Sequence, residues 1–138
     1  SGAAMNPPKA QLLAVVAAVI ERGDEILIAR RRRGARHALK WEFPGGKVEP
    51  GESPRDALRR ELAEELAITA DIGPEITRYK YKYPGRNPFL LIFFKVTEFS
   101  GQPQARTFDH IVWEKRYRLP SYDFLEGDVD FVRTLARM

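Results

Sequence analysis

Residues 45–68 read GGKVEPGESPRDALRRELAEELAI, and this stretch decides the architecture of the chain. It begins as a glycine-rich loop. Ser53 and Pro54 then predict a helix start, because Ser is a favoured N-cap and Pro is favoured at the first helical position. Apolar residues follow at four-residue spacing and predict the buried stripe of an amphipathic helix. That stripe consists of Leu58, Leu62 and Leu66.

The neighbouring face of this predicted helix is acidic. Glu61, Glu64 and Glu65 are spaced i, i+3 and i+4, where like charges destabilise an isolated helix by about 0.2–0.5 kcal/mol per pair. A shared cation explains the cluster, and carboxylate ligands suit Mg²⁺, Mn²⁺ or Ca²⁺. The chain has no Cys and two His, which argues against a closed zinc site. The alternative is a solvated acidic face on a surface helix.

A longer pattern favours the metal. Gly46, Glu52 and residues 60–68 follow the spacing Gx5Ex7REUxEExGU, with U aliphatic, and therefore resemble the Nudix box. Ala67 departs from it, since the family has Gly there in a left-handed helix cap that costs Ala about 1 kcal/mol. Residues 41–44 (WEFP) are similar to the MutT-type branch, which acts on nucleoside triphosphates. Weaker resemblance extends from about Leu12 to the C-terminus.

The resemblance implies an α/β fold in which a mixed sheet lies between helices, an α/β/α sandwich. It also implies Mg²⁺-dependent or Mn²⁺-dependent cleavage of a (deoxy)nucleoside triphosphate to a monophosphate and pyrophosphate, with 8-oxo-dGTP as one candidate substrate. Glu61 is expected to be the general base and Glu65 the chief ligand, although the two roles are open to exchange. Glu52 is expected to orient Arg60 through a salt bridge. The implied metal ligands are the Gly45 carbonyl, Glu61, Glu64 and Glu65.

Substrate contacts are expected from residues around the box. Five basic residues lie within positions 30–36, and of these we expect Arg30 to clamp phosphates, because it ends a predicted strand. Lys47 is expected to reach phosphate oxygens. A nucleic-acid patch and a solvated loop are alternatives for the cluster. The cluster comprises Arg30, Arg31, Arg32, Arg33 and Arg36, with Lys40 close behind.

Recognition of the base is expected near the C-terminus and on aromatic rings. Asp128 stands where the MutT branch commonly has an Asn or Asp that contacts the base, and a helix cap is the alternative. Phe43, Tyr81 and Phe124 are candidates for stacking on the base, with core packing as the alternative. Relatives often carry a metal-site Glu at the position of Thr107, and Asp109 is the nearest acidic residue that can replace it.

The composition is that of an ordinary globular protein, with 43% hydrophobic and 30% charged residues and a net charge of +4. Residues 1–4, ahead of Met5, are interpreted as a cloning remnant, and residues 5–138 are expected to form one domain. We expect a cytoplasmic protein, because the sequence shows no signal peptide, no transmembrane run and no Cys. It is expected to be a monomer or homodimer without a membrane partner.

Periodicity predicts the remaining elements. Residues 12–20 and 89–94 are apolar on both faces and predict central strands, and residues 25–30 predict a strand that returns from the first of these. Further strands are predicted at 69–72, 76–83 and 111–114, and a helix near the C-terminus. Two functional alternatives stay open: removal of pyrophosphate from an RNA 5′ end, and a non-catalytic nucleotide- or RNA-binding module.

Overall fold

The computed structural model describes residues 12–138, so the predicted cloning remnant lies outside the described residues. Nine strands form a seven-stranded mixed sheet and a separate two-stranded sheet. The strands are β1 (Leu13–Arg22), β2 (Glu25–Arg30), β3 (Trp41–Glu42), β4 (Gly45–Lys47), β5 (Thr69–Asp71), β6 (Glu75–Tyr81), β7 (Phe89–Val96), β8 (Glu98–Ser100) and β9 (His110–Lys115). The α-helices are α1 (Pro54–Leu66) and α2 (Val129–Ala136), and 3₁₀ helices span Arg116–Ser121 and Glu126–Asp128.

Strand β1 holds the large sheet together. It pairs in parallel with β7 from Leu13 to Ile20, and in antiparallel fashion with β4 near its start and with β2 at its end. The sheet continues from β7 to β6 and from β2 to β3 and β9. The strands predicted at residues 12–20, 25–30 and 89–94 are therefore confirmed, and β7 is central between β1 and β6.

Side chains on β1 alternate between two hydrophobic cores, so one core lies on each face of the sheet. Val16 and Ala18 point into the core covered by α1, whereas Ala17 and Val19 point into the core covered by α2 and its neighbouring 3₁₀ helices. Strands β2 and β7 alternate in the same way. This arrangement is the expected α/β/α sandwich, and within residues 12–138 no helix has the length and hydropathy needed to cross a membrane.

The glycine-rich segment differs from its prediction as a loop, because Gly45 and Gly46 lie in β4. Two backbones approach closely there. A Cβ atom on Gly45 would lie 1.9 Å from the carbonyl oxygen of Val16 on β1. Glycine is therefore required by the spacing between β4 and β1 rather than by a turn.

Candidate active site

Helix α1 sets the orientation of the acidic side chains. The Ser53 hydroxyl accepts a 3.1 Å hydrogen bond from the Asp56 N–H, and Pro54 begins the helix, as predicted. Burial of the predicted leucine stripe then fixes which face of α1 contacts the sheet, and the glutamates fall beside β4. The helix ends at Ala67 with φ 59°, so the chain keeps the left-handed cap and tolerates the strain of a Cβ atom there.

Glu65 is the most perturbed acidic group beside β4. Its Oε1 accepts a 3.0 Å hydrogen bond from the Gly45 N–H. Burial, together with the negative charges of Glu42 and Glu61, raises the pKa of the Glu65 carboxyl group to about 9, while the hydrogen bond from Gly45 opposes the rise. Within residues 12–138 no basic side chain forms an ion pair with Glu65. The described part of the protein therefore supplies no cation to balance the Glu65 carboxyl group when it ionises.

Glu61 lies against β4 one helical turn earlier. A Cβ atom on Gly46 would lie 2.5 Å from the Glu61 carboxyl carbon, so the absence of a side chain at Gly46 makes room for this carboxylate. Burial raises the pKa of Glu61, and the hydrogen bond from Arg60 opposes the rise. Gly45, Glu61 and Glu65 are thus gathered at one edge of the sheet.

Arg60 organises the other side of the acidic face. Its Nε and Nη2 atoms donate to the two carboxylate oxygens of Glu52 at 2.7 and 2.9 Å, and its Nη1 donates to Glu61 at 2.9 Å. The Arg60 hydrogen bonds lower the pKa of Glu52 to about 2, helped by the Glu49 N–H. The predicted salt bridge between Glu52 and Arg60 is present, and Arg60 makes no approach to the cavity described below.

Glu64 stands apart from its two partners. Its side chain is 58% exposed and its nearest cation is Arg60, at 3.5 Å. In the part of the chain that the structure describes, no three His, Cys, Asp or Glu side chains converge closely enough to hold a metal ion. The donors that do gather are hard oxygen atoms, and one of them is a buried carboxylate without a cation. This set fits Mg²⁺ or Mn²⁺, which retain water ligands and accept further oxygen from a substrate.

A cavity of about 1130 Å³ extends from this acidic edge. Its volume is large enough for a nucleotide. Gly45, Gly46 and Glu65 line one end, and Leu125 and Asp128 contribute to another part of the wall. Basic side chains surround the opening, which makes the cavity suitable for a polyanion. They are Arg31, Arg32, Arg36, Lys47 and Arg86.

Three predicted substrate residues line this cavity and three do not. Lys47, Phe43 and Asp128 are in its wall. The Arg30 side chain instead donates a 2.7 Å hydrogen bond to Asp109 and lies over the Trp41 ring, so its charge is already neutralised. The expectation that Arg30 faces the cavity is therefore wrong, because the side chains of Arg31 and Arg32 take that position.

The other departure concerns Tyr81. Its ring packs edge-on against Tyr83 and Phe89 and beside Gly127, and it does not line the cavity. The expectation that Tyr81 stacks on a base is therefore corrected to a packing role on β6. Phe124 likewise lies in the core, stacked on Phe43, rather than in the cavity wall. Phe43 is itself 2% exposed and belongs to the same core.

The segment between β8 and β9 brings Thr107 to the cavity but not Asp109. Asp109 is held by Arg30, and its backbone N–H donates to the Arg30 carbonyl at 2.9 Å. Arg32 also reaches this segment, since its Nη2 donates to the Arg106 carbonyl at 2.8 Å. In this conformation Asp109 therefore does not replace the carboxylate absent at Thr107.

The sequence does not predict the pairing of Glu42 with Arg31. These side chains form a 2.8 Å ion pair in the cavity wall. Burial raises the pKa of Glu42, although Arg31 lowers it in part. One feature of the sequence could have indicated a role for Glu42. It is a charged residue between Trp41 and Phe43, in a short segment that is otherwise apolar.

Asp128 is a buried acid with no internal partner among residues 12–138. It is 6% exposed, it lines the cavity, and its side chain does not cap α2. Burial raises its pKa well above the usual range, and the charge of Glu42 adds to the rise. The absence of the cap hydrogen bond argues against the alternative that Asp128 serves the helix, and leaves its carboxyl group free to meet a ligand.

Comparisons with known proteins agree with this geometry. The NUDIX domain model matches residues 11–133. CTP pyrophosphohydrolase of Escherichia coli is 40% identical over 128 residues, which cover 93% of this chain and 94% of the relative. The 8-oxo-dGTP diphosphatase of Escherichia coli is 33% identical, over 93% of this chain and 98% of the relative.

A solved structure shows the same architecture. MutT, studied from Aliivibrio salmonicida and Vibrio cholerae, superposes with a TM-score of 0.76 at 32% identity, covering 91% of this chain and 97% of that one. The chain therefore belongs to the Nudix family, in its MutT-like branch, and is a hydrolase that acts on phosphoric anhydrides.

Proposed function

We propose that the protein is a Mg²⁺-dependent pyrophosphohydrolase that cleaves a (deoxy)nucleoside triphosphate to a nucleoside monophosphate and pyrophosphate. The observation that carries this proposal is the uncompensated carboxylate of Glu65, which lies beside Gly45 at the end of a nucleotide-sized cavity with a basic opening. A cation at Glu65 removes the cost of burying its charge, and a polyphosphate satisfies the basic side chains at the same time.

The metal is proposed to be held by Glu61, Glu65 and the Gly45 carbonyl, with Glu64 joining after its side chain turns from Arg60. When bound, Mg²⁺ or Mn²⁺ supplies neutralising charge to the phosphate oxygens. Glu61 is the proposed general base. It takes a proton from the attacking water as a new P–O bond forms and the bridging P–O bond breaks, and pyrophosphate leaves. Its raised pKa favours this role.

The basic opening is proposed to hold the polyphosphate. Lys47 is the last residue of β4 and is an exposed part of the cavity wall, and Arg32 and Arg36 extend from the segment between β2 and β3. Guanidinium groups bind phosphate oxygens in pairs and stay charged at every physiological pH. Arg60 and Glu52 are proposed to act on the reaction only by holding Glu61 in place.

We propose that Asp128 binds the base. The protonation state of the Asp128 carboxyl group would distinguish the cytidine and the guanine nucleotides for which the relatives are named. A neutral carboxyl group offers one donor and one acceptor, which match the N3 and N4–H of cytosine. An ionised one offers two acceptors, which match the N1–H and N2–H of guanine. The surroundings of Asp128 favour the neutral form, because burial raises the pKa of its carboxyl group and the nearby charge of Glu42 adds to the rise. Cytidine triphosphates are therefore the first candidates and 8-oxo-dGTP the second.

The RNA 5′ end remains a second candidate substrate, which the basic side chains at the opening favour. A non-catalytic module is less well supported, because every carboxylate of the box is retained and Glu65 is uncompensated. We also propose that residues 5–138 act as one domain in the cytoplasm, as a monomer or homodimer.

The test is turnover on a panel of CTP, dCTP, UTP, dGTP, 8-oxo-dGTP and a 5′-triphosphate RNA, with Mg²⁺, Mn²⁺ or EDTA and with products separated by ion exchange. Monophosphate plus pyrophosphate from one nucleotide, lost in EDTA and in Glu65→Gln, supports the proposal. The matched control is Glu98→Gln, which changes an exposed glutamate on β8. Binding of nucleotides without release of pyrophosphate would contradict the proposed catalysis and favour the binding module.

A further inference from the structure

Two tyrosine hydroxyl groups hold the two peptide units that flank Gly127, the residue before Asp128. The Tyr79 hydroxyl donates a 2.6 Å hydrogen bond to the Gly127 carbonyl. The Gly127 N–H donates a 3.0 Å hydrogen bond to the Tyr83 hydroxyl. Both polar groups of one buried residue are thus bound by side chains from β6 and the residues just after it.

These two hydrogen bonds are made at a position where there is little room for a side chain. Gly127 is buried, and a Cβ atom there would lie 3.1 Å from the Tyr83 hydroxyl oxygen and 3.2 Å from the Tyr81 ring. The following residue, Asp128, is 6% exposed and has no internal partner for its carboxyl group among residues 12–138. The orientation of that carboxyl group therefore depends on the backbone that carries it rather than on contacts of its own.

The two tyrosines are themselves anchored in different ways. Tyr79 belongs to the core under α2, where its ring contacts Phe93. Tyr83 lines the cavity, stacks parallel to Phe89 and contacts the His37 ring at 4.7 Å. His37 is a left-handed residue, with φ 55°, in the segment that carries Arg31 and Arg36. Tyr83 therefore contacts both Gly127, the residue before Asp128, and the segment between β2 and β3 that carries the cavity arginines.

We propose that Tyr79 and Tyr83 are positioning residues that set the selectivity of the site for its base. They fix the two peptide units that flank Gly127, and so the direction of the Asp128 carboxyl group. The inference rests on the proposed function, because it assigns the way in which that same site distinguishes nucleotides. Tyr79 supplies the donor, Tyr83 the acceptor, and neither hydroxyl is required to touch the substrate.

Removal of either hydroxyl group tests this with little change in packing. Tyr83→Phe keeps the ring that contacts Phe89 and His37, and Tyr79→Phe keeps the ring in the core. The matched control is Tyr122→Phe, which removes a hydroxyl bonded to Glu114 at a part of the chain that does not line the cavity. Any effect of losing a tyrosine hydrogen bond on stability alone is seen in this control as well.

The measurements are the dissociation constants of CMP, UMP, dGMP and 8-oxo-dGMP, and KM and kcat for the corresponding triphosphates. We expect the ratio of affinities for the best and second-best base to fall by roughly three- to tenfold in each tyrosine variant, as for the loss of one hydrogen bond. The values of kcat should stay within about threefold, because the acidic edge is unchanged. Hydrogen exchange at the Gly127 amide should accelerate in Tyr83→Phe and not in Tyr122→Phe.

A double-mutant cycle with Asp128→Asn shows whether the tyrosines act through Asp128. If they do, Tyr83→Phe causes no further loss of base preference in the Asp128→Asn background. Unchanged base preference in both tyrosine variants, or equal additive losses with and without Asp128, overturns this inference while the proposed function stands. A wild-type protein that neither binds nor cleaves any of these nucleotides overturns both.

Discussion

The glutamates in and just before α1 differ in whether the protein supplies a cation to them. On one side, Arg60 binds Glu52 with two hydrogen bonds and also reaches Glu61. On the other side, the Glu65 carboxyl group accepts a hydrogen bond from the Gly45 N–H and from no other group among residues 12–138, and its pKa is raised to about 9, chiefly by burial. Glu52 is therefore a structural residue, because an arginine neutralises it, whereas Glu65 is available to a cation because no arginine reaches it.

Glu65→Gln tests the uncompensated side and has the largest expected effect. Turnover should fall by more than roughly 100-fold, the upper range for loss of a group that only supports a metal ligand. The melting temperature in EDTA should stay equal or rise, because the variant removes the cost of burying a carboxyl group that would be ionised in the unfolded chain and that no cation balances in the fold. Pyrophosphate release and thermal unfolding measure the two quantities. A clear loss of stability in EDTA would contradict the description of Glu65 as uncompensated.

Gly46→Ala tests whether Glu61 must lie against β4. The new methyl group would occupy the space of the Glu61 carboxylate and displace it, and we expect activity to fall by about 10- to 100-fold, as for a misplaced catalytic group. The fold should survive, because a flexible carboxylate moves more easily than backbone. Gly45→Ala is the matched contrast. Its methyl group would meet the Val16 carbonyl, so the soluble folded fraction should drop sharply.

Arg60→Gln tests the compensated side. We expect its melting temperature to fall by several degrees, because Glu52 and Glu61 both lose their cation. Arg59→Gln is a matched control, since Arg59 forms an exposed pair with Asp56 on the same helix. Equal melting temperatures for the two variants would show that the Arg60 pairs add no stability.

The pH dependence of stability follows from the lowered pKa of Glu52, about 2 compared with 4.5 in an unfolded chain. A group whose pKa is lower in the folded state stabilises the fold above the unfolded pKa and loses that contribution as pH falls. The difference in urea unfolding between wild type and Glu52→Gln should be full above about pH 4.5 and shrink toward pH 2. A difference that grows as the pH falls would be contrary to this assignment.

Ala67→Gly has the smallest expected effect and should leave both sides of the acidic face unchanged. Ala67 has φ 59°, which glycine adopts without strain, although glycine also raises the entropy of the unfolded chain. We expect a gain of about 0.5 kcal/mol in unfolding free energy and an unchanged kcat. Urea unfolding and turnover measure both. A large change in kcat would show that the helix end influences the carboxylates.

The sequence predicts α1 and the central strands well because their signals are local and strong. The N-cap at Ser53, the four-residue spacing of the leucines and the two-sided apolar runs each correspond to one physical requirement. The family pattern adds the joint position of Gly45 and Glu65, which no local rule supplies. The strand character of β4 and of β8 is not predicted, because each strand is defined by pairing with residues about thirty positions away in the sequence.

Side-chain direction is what the sequence does not supply. Arg30, Arg31 and Arg32 are adjacent and chemically identical, and which of them lines the cavity depends on the path of the strand end and on Asp109. The ion pair of Arg31 with Glu42 and the two hydrogen bonds to Gly127 likewise join segments far apart in sequence. Such contacts form only after the fold brings the segments together.

The parallel pairing of β1 with β7 also determines when the site can form during folding. Val16 pairs with both Gly46 and Ile92, and Ile92 follows more than half a chain length later. In a nascent chain that ends before β7, this edge of β1 has no partner strand. Both hydrophobic cores then lack the side chains that β7 contributes to them. Completion of the core that supports α1 therefore waits for this long loop to close, which favours slow folding.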